Sequence, residues 1–293
     1  MDHRDYEWQL VFFTFLTHMA SGTFCVWGMA AILIPIPGPI SNDSNALLFL
    51  TFVLILLIFG ALAAGLHLGR PLRAIFSLTN LRSSWLSREA LLGINFGLVV
   101  LVLVLRRAFG QEYSYLDEIL IAVGILVSFA LVYCISRLYM LRTVPAWNNP
   151  GTPGTFFVST SLLGVIASTT IWQILIYSKK DQSLDIFMDR LLSVSGQLLI
   201  VLAATQLVIL IFQILYLNYR GGAAIHSLRL LWSDLRGMFI GRVVTLISGI
   251  SLLTFQSMLE INWPICVAAA GLILISEFLG RILFYGFYQQ EGF

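Results

Sequence analysis

Polar residues gather in one stretch that joins two apolar runs, each long enough to cross a bilayer. The stretch begins with His67, Arg70 and Arg73 and ends with Ser87 and Glu89. An imidazole or a carboxylate can accept a proton at neutral pH, whereas a guanidinium can only donate hydrogen bonds. Ionisable groups beside hydrocarbon are costly and mark functional sites. The spacing therefore predicts a site for a proton-releasing ligand, with Glu89 or His67 as the base.

Each of these residues also has a structural interpretation. Glu89 could be an acid at the start of a helix, stabilised by the helix dipole, with Ser87 as the N-cap. His67 could end a helix, where a cationic ring suits the dipole. Arg70 and Arg73 could extend to the membrane surface and bind lipid phosphates. Both interpretations stay open on the sequence alone.

The composition is that of an integral membrane protein. Of the 293 residues, 58% are hydrophobic and 11% are charged, whereas a soluble domain carries about a quarter charged residues. Cys25, Cys134 and Cys266 stand alone in separate apolar runs. This spacing excludes a disulfide framework, a structural zinc site and an iron–sulfur cluster. The arginines lie near span ends, and nothing in the sequence indicates nucleic-acid binding.

Eight apolar runs contain no lysine, arginine, aspartate or glutamate. Most approach the ~20 residues that a helix needs to cross a bilayer, and the short ones extend past one flanking charge. We therefore predict an all-α polytopic membrane protein with eight transmembrane helices in one domain, residues 1–293. A loose echo between the polar residues after the second and sixth spans suggests two four-helix bundles, 1–142 and 143–293. The runs are 8–34, 46–66, 90–105, 119–136, 155–178, 191–219, 243–259 and 261–276.

Eight spans place both termini on one side of the membrane, with the connections after the second, fourth and sixth spans. We call this side the even face and the opposite side the odd face. The odd face holds Arg106, Arg107, Lys179, Lys180 and Arg190, which leaves twelve of the 17 lysines and arginines at the even face. The positive-inside rule then predicts that the even face lies in the cytoplasm.

A haem between helices would need two axial histidines at matching depth. His18 lies about ten residues into the first span, roughly 15 Å deep at 1.5 Å per residue. His67 lies at the end of the second span, and the other two histidines lie outside the spans. The depths do not match, so we predict that this protein holds no b-type haem.

Two charges also occur on the last helix. Glu277 and Arg281 are four residues apart, a spacing that brings side chains together on one helix face. We interpret them as a structural pair. Arg137, at the end of the fourth span, could belong to the network of this pair or to the polar site.

Three segments resemble the membrane anchor subunits of dimethyl sulfoxide reductases, the DmsC family. The most specific is HLGRPLRAIFSLTNLRSSWLSREALLG, which contains the polar stretch; the other two are SRLYMLRTVPAWNNPGTP and SEFLGRILFYGFY. Chain length and span number also fit. The resemblance implies a subunit that binds menaquinol and carries no redox centre of its own. It would hold an iron–sulfur subunit and a molybdopterin catalytic subunit at one face of a bacterial or archaeal cytoplasmic membrane.

In that family a histidine ending the second span and a glutamate starting the third are associated with quinol. The matching residues are His67 and Glu89. We expect menaquinol to bind between them and Arg70, Arg73 and Ser87 at the even face, with His18 as a weaker candidate for the second quinone oxygen. Two alternatives are a secondary transporter or channel, and a purely structural anchor of the complex without a quinol site. An assay for bound menaquinone in the purified complex would separate the three.

Overall fold

The fold is a bundle of helices, seen in a computed structural model that describes residues 7–33, 43–67, 80–179, 182–258 and 263–287. The described residues contain nine helices and no strand. They are α1 (Trp8–Leu33), α2 (Asp43–His67), α3 (Trp85–Ala108), α4 (Tyr115–Tyr139), α5 (Gly151–Lys179), α6 (Gln182–Arg220), α7 (Ala223–Trp232), α8 (Arg236–Met258) and α9 (Trp263–Gly286).

Eight of these helices are long and apolar enough to cross a membrane, and α7 is the exception. The prediction of an all-α protein with eight spans is therefore confirmed. Several helices run further than the uncharged runs because a charge within the first or last turns does not end a helix. For example, α3 includes Glu89 in its second turn, and α9 includes Glu277 and Arg281.

The prediction that Ser87 caps the third span is wrong. Helix α3 begins at Trp85, and Ser84 is its N-cap. The side chain of Ser84 accepts a hydrogen bond from the backbone N–H of Ser87 at 3.2 Å. That contact satisfies one of the N–H groups left free at a helix start. Ser87 thus lies inside the first turn, and its side chain is buried.

The segment 220–242, which separates two of the uncharged runs, is largely helical. Gly221 and Gly222 adopt positive φ angles of 64° and 54°, a conformation that glycine reaches without a steric penalty. This turn ends α6 and leads into the short helix α7. Helix α8 then begins at Arg236, so Arg242 lies within a membrane span and is buried.

Helix α1 lies at the centre of the bundle, against α2, α4, α5 and α9. It approaches α5 closely, because two glycines face each other where the helices cross. A Cβ on Gly164 would clash with the backbone of Gly22, and a Cβ on Gly22 would clash with the carbonyl oxygen of Thr160. Small residues allow such close approach between membrane helices. This contact crosses the boundary between the two suggested halves, and the division into two four-helix bundles stays a prediction.

Candidate functional site

The structure describes only part of the polar stretch that runs from His67 to Glu89. Arg70 and Arg73 lie outside the described residues. Helix α2 ends at His67, which places that residue at the end of the second span, as predicted. Ser87 and Glu89 are both buried on α3, at 1% and 7% exposure. The expected grouping of these five residues around a ligand stays a prediction.

Glu89 presents a buried oxygen that none of the described residues satisfies. Its Oε2 has no hydrogen-bond partner within the described part of the protein. The neighbouring Arg88 instead donates to the carbonyls of Leu81 and Arg82, at 2.8 and 2.7 Å, and its guanidinium lies 4.4 Å from the ring centre of Trp85. A buried polar atom without a partner costs free energy. Such an atom in a folded protein is a candidate ligand contact.

Two tyrosines lie at the ends of other helices, on the same side of the bundle as Glu89. Tyr139 ends α4 and Tyr285 is near the end of α9, and both interact electrostatically with the Glu89 carboxyl. The two tyrosine rings meet edge to face at 5.4 Å, and the Tyr285 hydroxyl donates to Thr14 Oγ1 at 3.5 Å. Tyr285 also interacts electrostatically with Arg281. It therefore links the surroundings of Glu89 to a second polar group.

That second group pairs a histidine with an arginine. Arg281 Nη2 lies 2.7 Å from Nδ1 of His18, and the two residues are 3% and 0% exposed. The Arg281 guanidinium also lies 4.3 Å from the ring centre of Phe156, which meets the His18 ring edge to face at 5.0 Å. Helices α1, α5 and α9 thus supply one residue each to a buried contact that the sequence did not predict.

Glu277 and Arg281 interact electrostatically, as their spacing predicts. Each nevertheless makes its hydrogen bond to another helix. Glu277 accepts a hydrogen bond on Oε2 from the hydroxyl of Ser159 on α5, and it also interacts electrostatically with Arg242 of α8. The guanidinium of Arg242 lies on Gly280, where a Cβ would stand 2.8 Å from Cζ. The absence of a side chain at this position makes room for the second buried arginine.

A cavity of about 50 Å³ adjoins these charges. Its wall includes Ser159, Gln213, Arg242, Glu277 and Arg281, and leucines and phenylalanines from α6 to α9 form much of the rest. Nε of Arg242 and Oε1 of Glu277 have no hydrogen-bond partner among the residues described. Since one water needs roughly 10–15 Å³ on this measure, the cavity has room for a few waters that could satisfy both atoms.

We call this arrangement the even-face cluster: Glu89, Tyr139, Tyr285, His18, Arg281, Glu277, Ser159 and Arg242. Each member lies towards the even-face end of its helix, because α1, α3, α5 and α8 begin there and α4 and α9 end there. Glu89 and His18 are predicted from the sequence as ligand contacts, whereas Arg242, Ser159 and the tyrosines are not. The signal available in the sequence was a charged residue inside a membrane span, because such a charge marks a functional position.

Comparison with known proteins identifies the family to which this protein belongs. A family model described as "DMSO reductase anchor subunit (DmsC)" matches residues 1–287. The protein belongs to the DMSO reductase anchor subunit family. It is 26% identical over 295 residues to a subunit of the anaerobic dimethyl sulfoxide reductase of Haemophilus influenzae. It is 27% identical over 296 residues to the anaerobic dimethyl sulfoxide reductase chain YnfH of Escherichia coli. Each alignment covers 98% of this sequence and 96% of the relative.

Family membership agrees with the eight spans and confirms the resemblance carried by the three segments. This member of the anchor subunit family is a multi-pass membrane protein, and its role is that of a membrane anchor.

Proposed function

We propose that this protein is the membrane anchor and menaquinol-oxidising subunit of a DMSO reductase-like molybdopterin complex in a bacterial or archaeal cytoplasmic membrane. Its electrons would pass to an iron–sulfur subunit, and from there to a molybdopterin catalytic subunit in anaerobic respiration. The family match over residues 1–287 supports the anchor role. The observation that carries the quinol chemistry is the buried Oε2 of Glu89, which has no partner among the described residues.

Oxidation of a quinol releases two protons and two electrons, so the site needs a proton acceptor. Glu89 meets this need because it is a carboxyl with an oxygen that is not already occupied by another described group. The arginines of the site cannot take protons at neutral pH, but they can donate hydrogen bonds to the quinone oxygens. His67 is the second candidate base, through its position at the end of α2.

The substitution Glu89→Gln tests this role. We expect the complex to assemble in the membrane and to lose quinol oxidation by on the order of 100-fold, because an amide cannot accept the proton. The matched control is Glu118→Gln on α4, an exposed carboxyl at the odd face, which should oxidise a menaquinol analogue at the normal rate. Normal turnover in Glu89→Gln would show that this carboxyl is a structural group near a helix start.

The iron–sulfur subunit should dock on the even face, because electron transfer requires a short distance from the quinol. Exposed residues of α7 and the start of α8 lie on this face, among them Trp232 and Arg236. Arg229 lies between them and the start of α7. Tryptophan and arginine are enriched at the energetically dominant positions of interfaces.

A photocrosslinking residue at position 232 should therefore capture the iron–sulfur subunit in membranes that contain the whole complex. The control position is 112, an exposed glutamate in the connection between α3 and α4 at the odd face. Capture from position 112 instead of 232 would place the partner on the wrong side of the quinol site and contradict the electron path.

A further inference from the structure

We propose that Arg281 is a positioning residue that holds His18 as a hydrogen-bond donor to a quinol oxygen, so that His18 is not a base. The inference rests on the proposed function, since it assigns a division of labour within the quinol site. Glu89 would take protons, and His18 would stabilise the negative charge that develops on oxygen as a proton leaves.

The side chains of Arg281 and His18 are in direct contact. A guanidinium carries only N–H donors. At 2.7 Å from Arg281 Nη2, Nδ1 of His18 must therefore accept. An imidazolium carries N–H on both nitrogens and could not accept at Nδ1. The ring is consequently neutral in this arrangement, and its single proton is on Nε2.

The proton of the His18 ring is on the nitrogen that does not contact Arg281. Nε2 is buried and has no hydrogen-bond partner in the part of the protein that the structure describes. A buried N–H group without an acceptor lowers the stability of the folded protein. We infer that this oriented donor serves a ligand acceptor, which would compete with the backbone carbonyl of Phe156 that also interacts with the ring.

Neighbouring side chains restrain the position of the Arg281 guanidinium. Its guanidinium lies over the Phe156 ring, at 4.3 Å, and interacts electrostatically with Glu277 one turn away on α9. Ser159 holds Glu277 in turn. Contacts of this kind restrict the rotamer of a side chain, and a restricted donor loses little freedom when it binds.

One tyrosine interacts with both parts of the proposed quinol site. Tyr285 interacts electrostatically with both Arg281 and Glu89, so the pair of His18 and Arg281 and the proposed proton acceptor lie in one region of the bundle. A quinol bound between them gives its two protons to Glu89 or to water at the even face. Its two electrons go to the iron–sulfur subunit. His18 keeps its own proton throughout.

The direct test reads the proton position in the assembled complex by isotope-edited NMR of the histidine ring nitrogens. The sequence contains four histidines, and loss of one signal set in His18→Gln identifies His18. We expect the Nε2–H tautomer in the natural protein and in Arg281→Lys, because the ammonium is also a donor only. We expect a mixture of tautomers in Arg281→Met. An Nδ1–H tautomer in the natural protein would overturn the proposal without any activity measurement.

The kinetic test uses the same two variants. Loss of a preoriented donor to a developing oxyanion lowers turnover by roughly 10- to 100-fold. The loss should fall on kcat with little change in KM, since the interaction strengthens in the transition state. Arg281→Lys should restore most of kcat. Equal kcat in Arg281→Met and the natural protein would overturn the positioning role. If Glu89→Gln alone kept full activity, the proposed base would fail while the tautomer result still stood.

Discussion

The protein buries arginines near both membrane faces, and the two groups differ in how completely their polar atoms are paired. At the odd face, the turn between α3 and α4 brings Arg106 and Arg107 to Asp117. Arg106 donates to both carboxylate oxygens, at 2.8 and 3.0 Å, and Arg107 lies 3.4 Å from Oδ1. The backbone N–H and hydroxyl of Ser114 add two further hydrogen bonds to Oδ2, at 2.8 and 3.0 Å. We call this the hairpin cluster.

The even-face cluster is assembled differently. Its members come from α1, α3, α4, α5, α8 and α9, and the contact between His18 and Arg281 joins residues 263 positions apart. Four buried atoms remain without a hydrogen-bond partner in the described residues: His18 Nε2, Glu89 Oε2, Arg242 Nε and Glu277 Oε1. In the hairpin cluster, by contrast, the residues come from a single short stretch of sequence and both oxygens of Asp117 are occupied.

This difference separates a stabilising group from a site. A charge with all its partners in place has no capacity for a ligand, and removing one partner mainly destabilises the fold. A buried polar atom without a protein partner lowers stability unless water or a ligand satisfies it, so it is a candidate position for binding or chemistry. The hairpin cluster should therefore matter for stability and the even-face cluster for turnover.

The largest effect on stability should come from Asp117→Ala, which removes the acceptor of two arginines. We expect the complex to unfold at a lower temperature, because the substitution removes the carboxylate that both arginines contact. Molecules that remain folded should oxidise quinol at the normal rate. Thermal unfolding of the purified complex and turnover per assembled complex measure the two quantities.

Glu118→Ala is the control for that change, because the adjacent glutamate is exposed. Its stability should stay within about 0.5 kcal/mol of the natural protein. A fall in turnover per folded Asp117→Ala complex would contradict the comparison, since it would show that the hairpin cluster takes part in the reaction.

The sequence predicts the spans well and the even-face cluster only in part, for physical reasons. Span number follows from the length of apolar runs, a local property. The hairpin cluster is also local, since Arg106 and Asp117 are 11 residues apart. Which helices meet depends on packing features such as the approach of Gly22 to Gly164, and no local pattern encodes that pairing. His18 and Arg281 are therefore recognisable singly as polar groups within spans, but not as a pair.

The smallest effects should come from two serines, each of which donates a hydrogen bond to a carboxylate in one of the two clusters. They also give the sharpest comparison between the clusters. Ser114 donates a hydrogen bond to Asp117, and Ser159 donates one to Glu277. Each substitution by alanine removes one hydrogen bond to a carboxylate, worth about 1.5 kcal/mol. Ser114→Ala also removes the hydrogen bond that Arg106 donates to the Ser114 hydroxyl. In Ser114→Ala the loss should appear as lower thermal stability with unchanged turnover.

In Ser159→Ala the same loss should appear mainly in the reaction. Glu277 would be free to turn towards the guanidinium of Arg281, which interacts with it electrostatically, and the contact of Arg281 with His18 would weaken. We expect turnover with a menaquinol analogue to fall roughly tenfold, the rate equivalent of about 1.4 kcal/mol, while Ser159→Thr, which keeps the hydroxyl, retains activity. If both alanine variants lowered only stability, the even-face cluster would be a second structural group, and the distinction between paired and unpaired charges in this fold would fail.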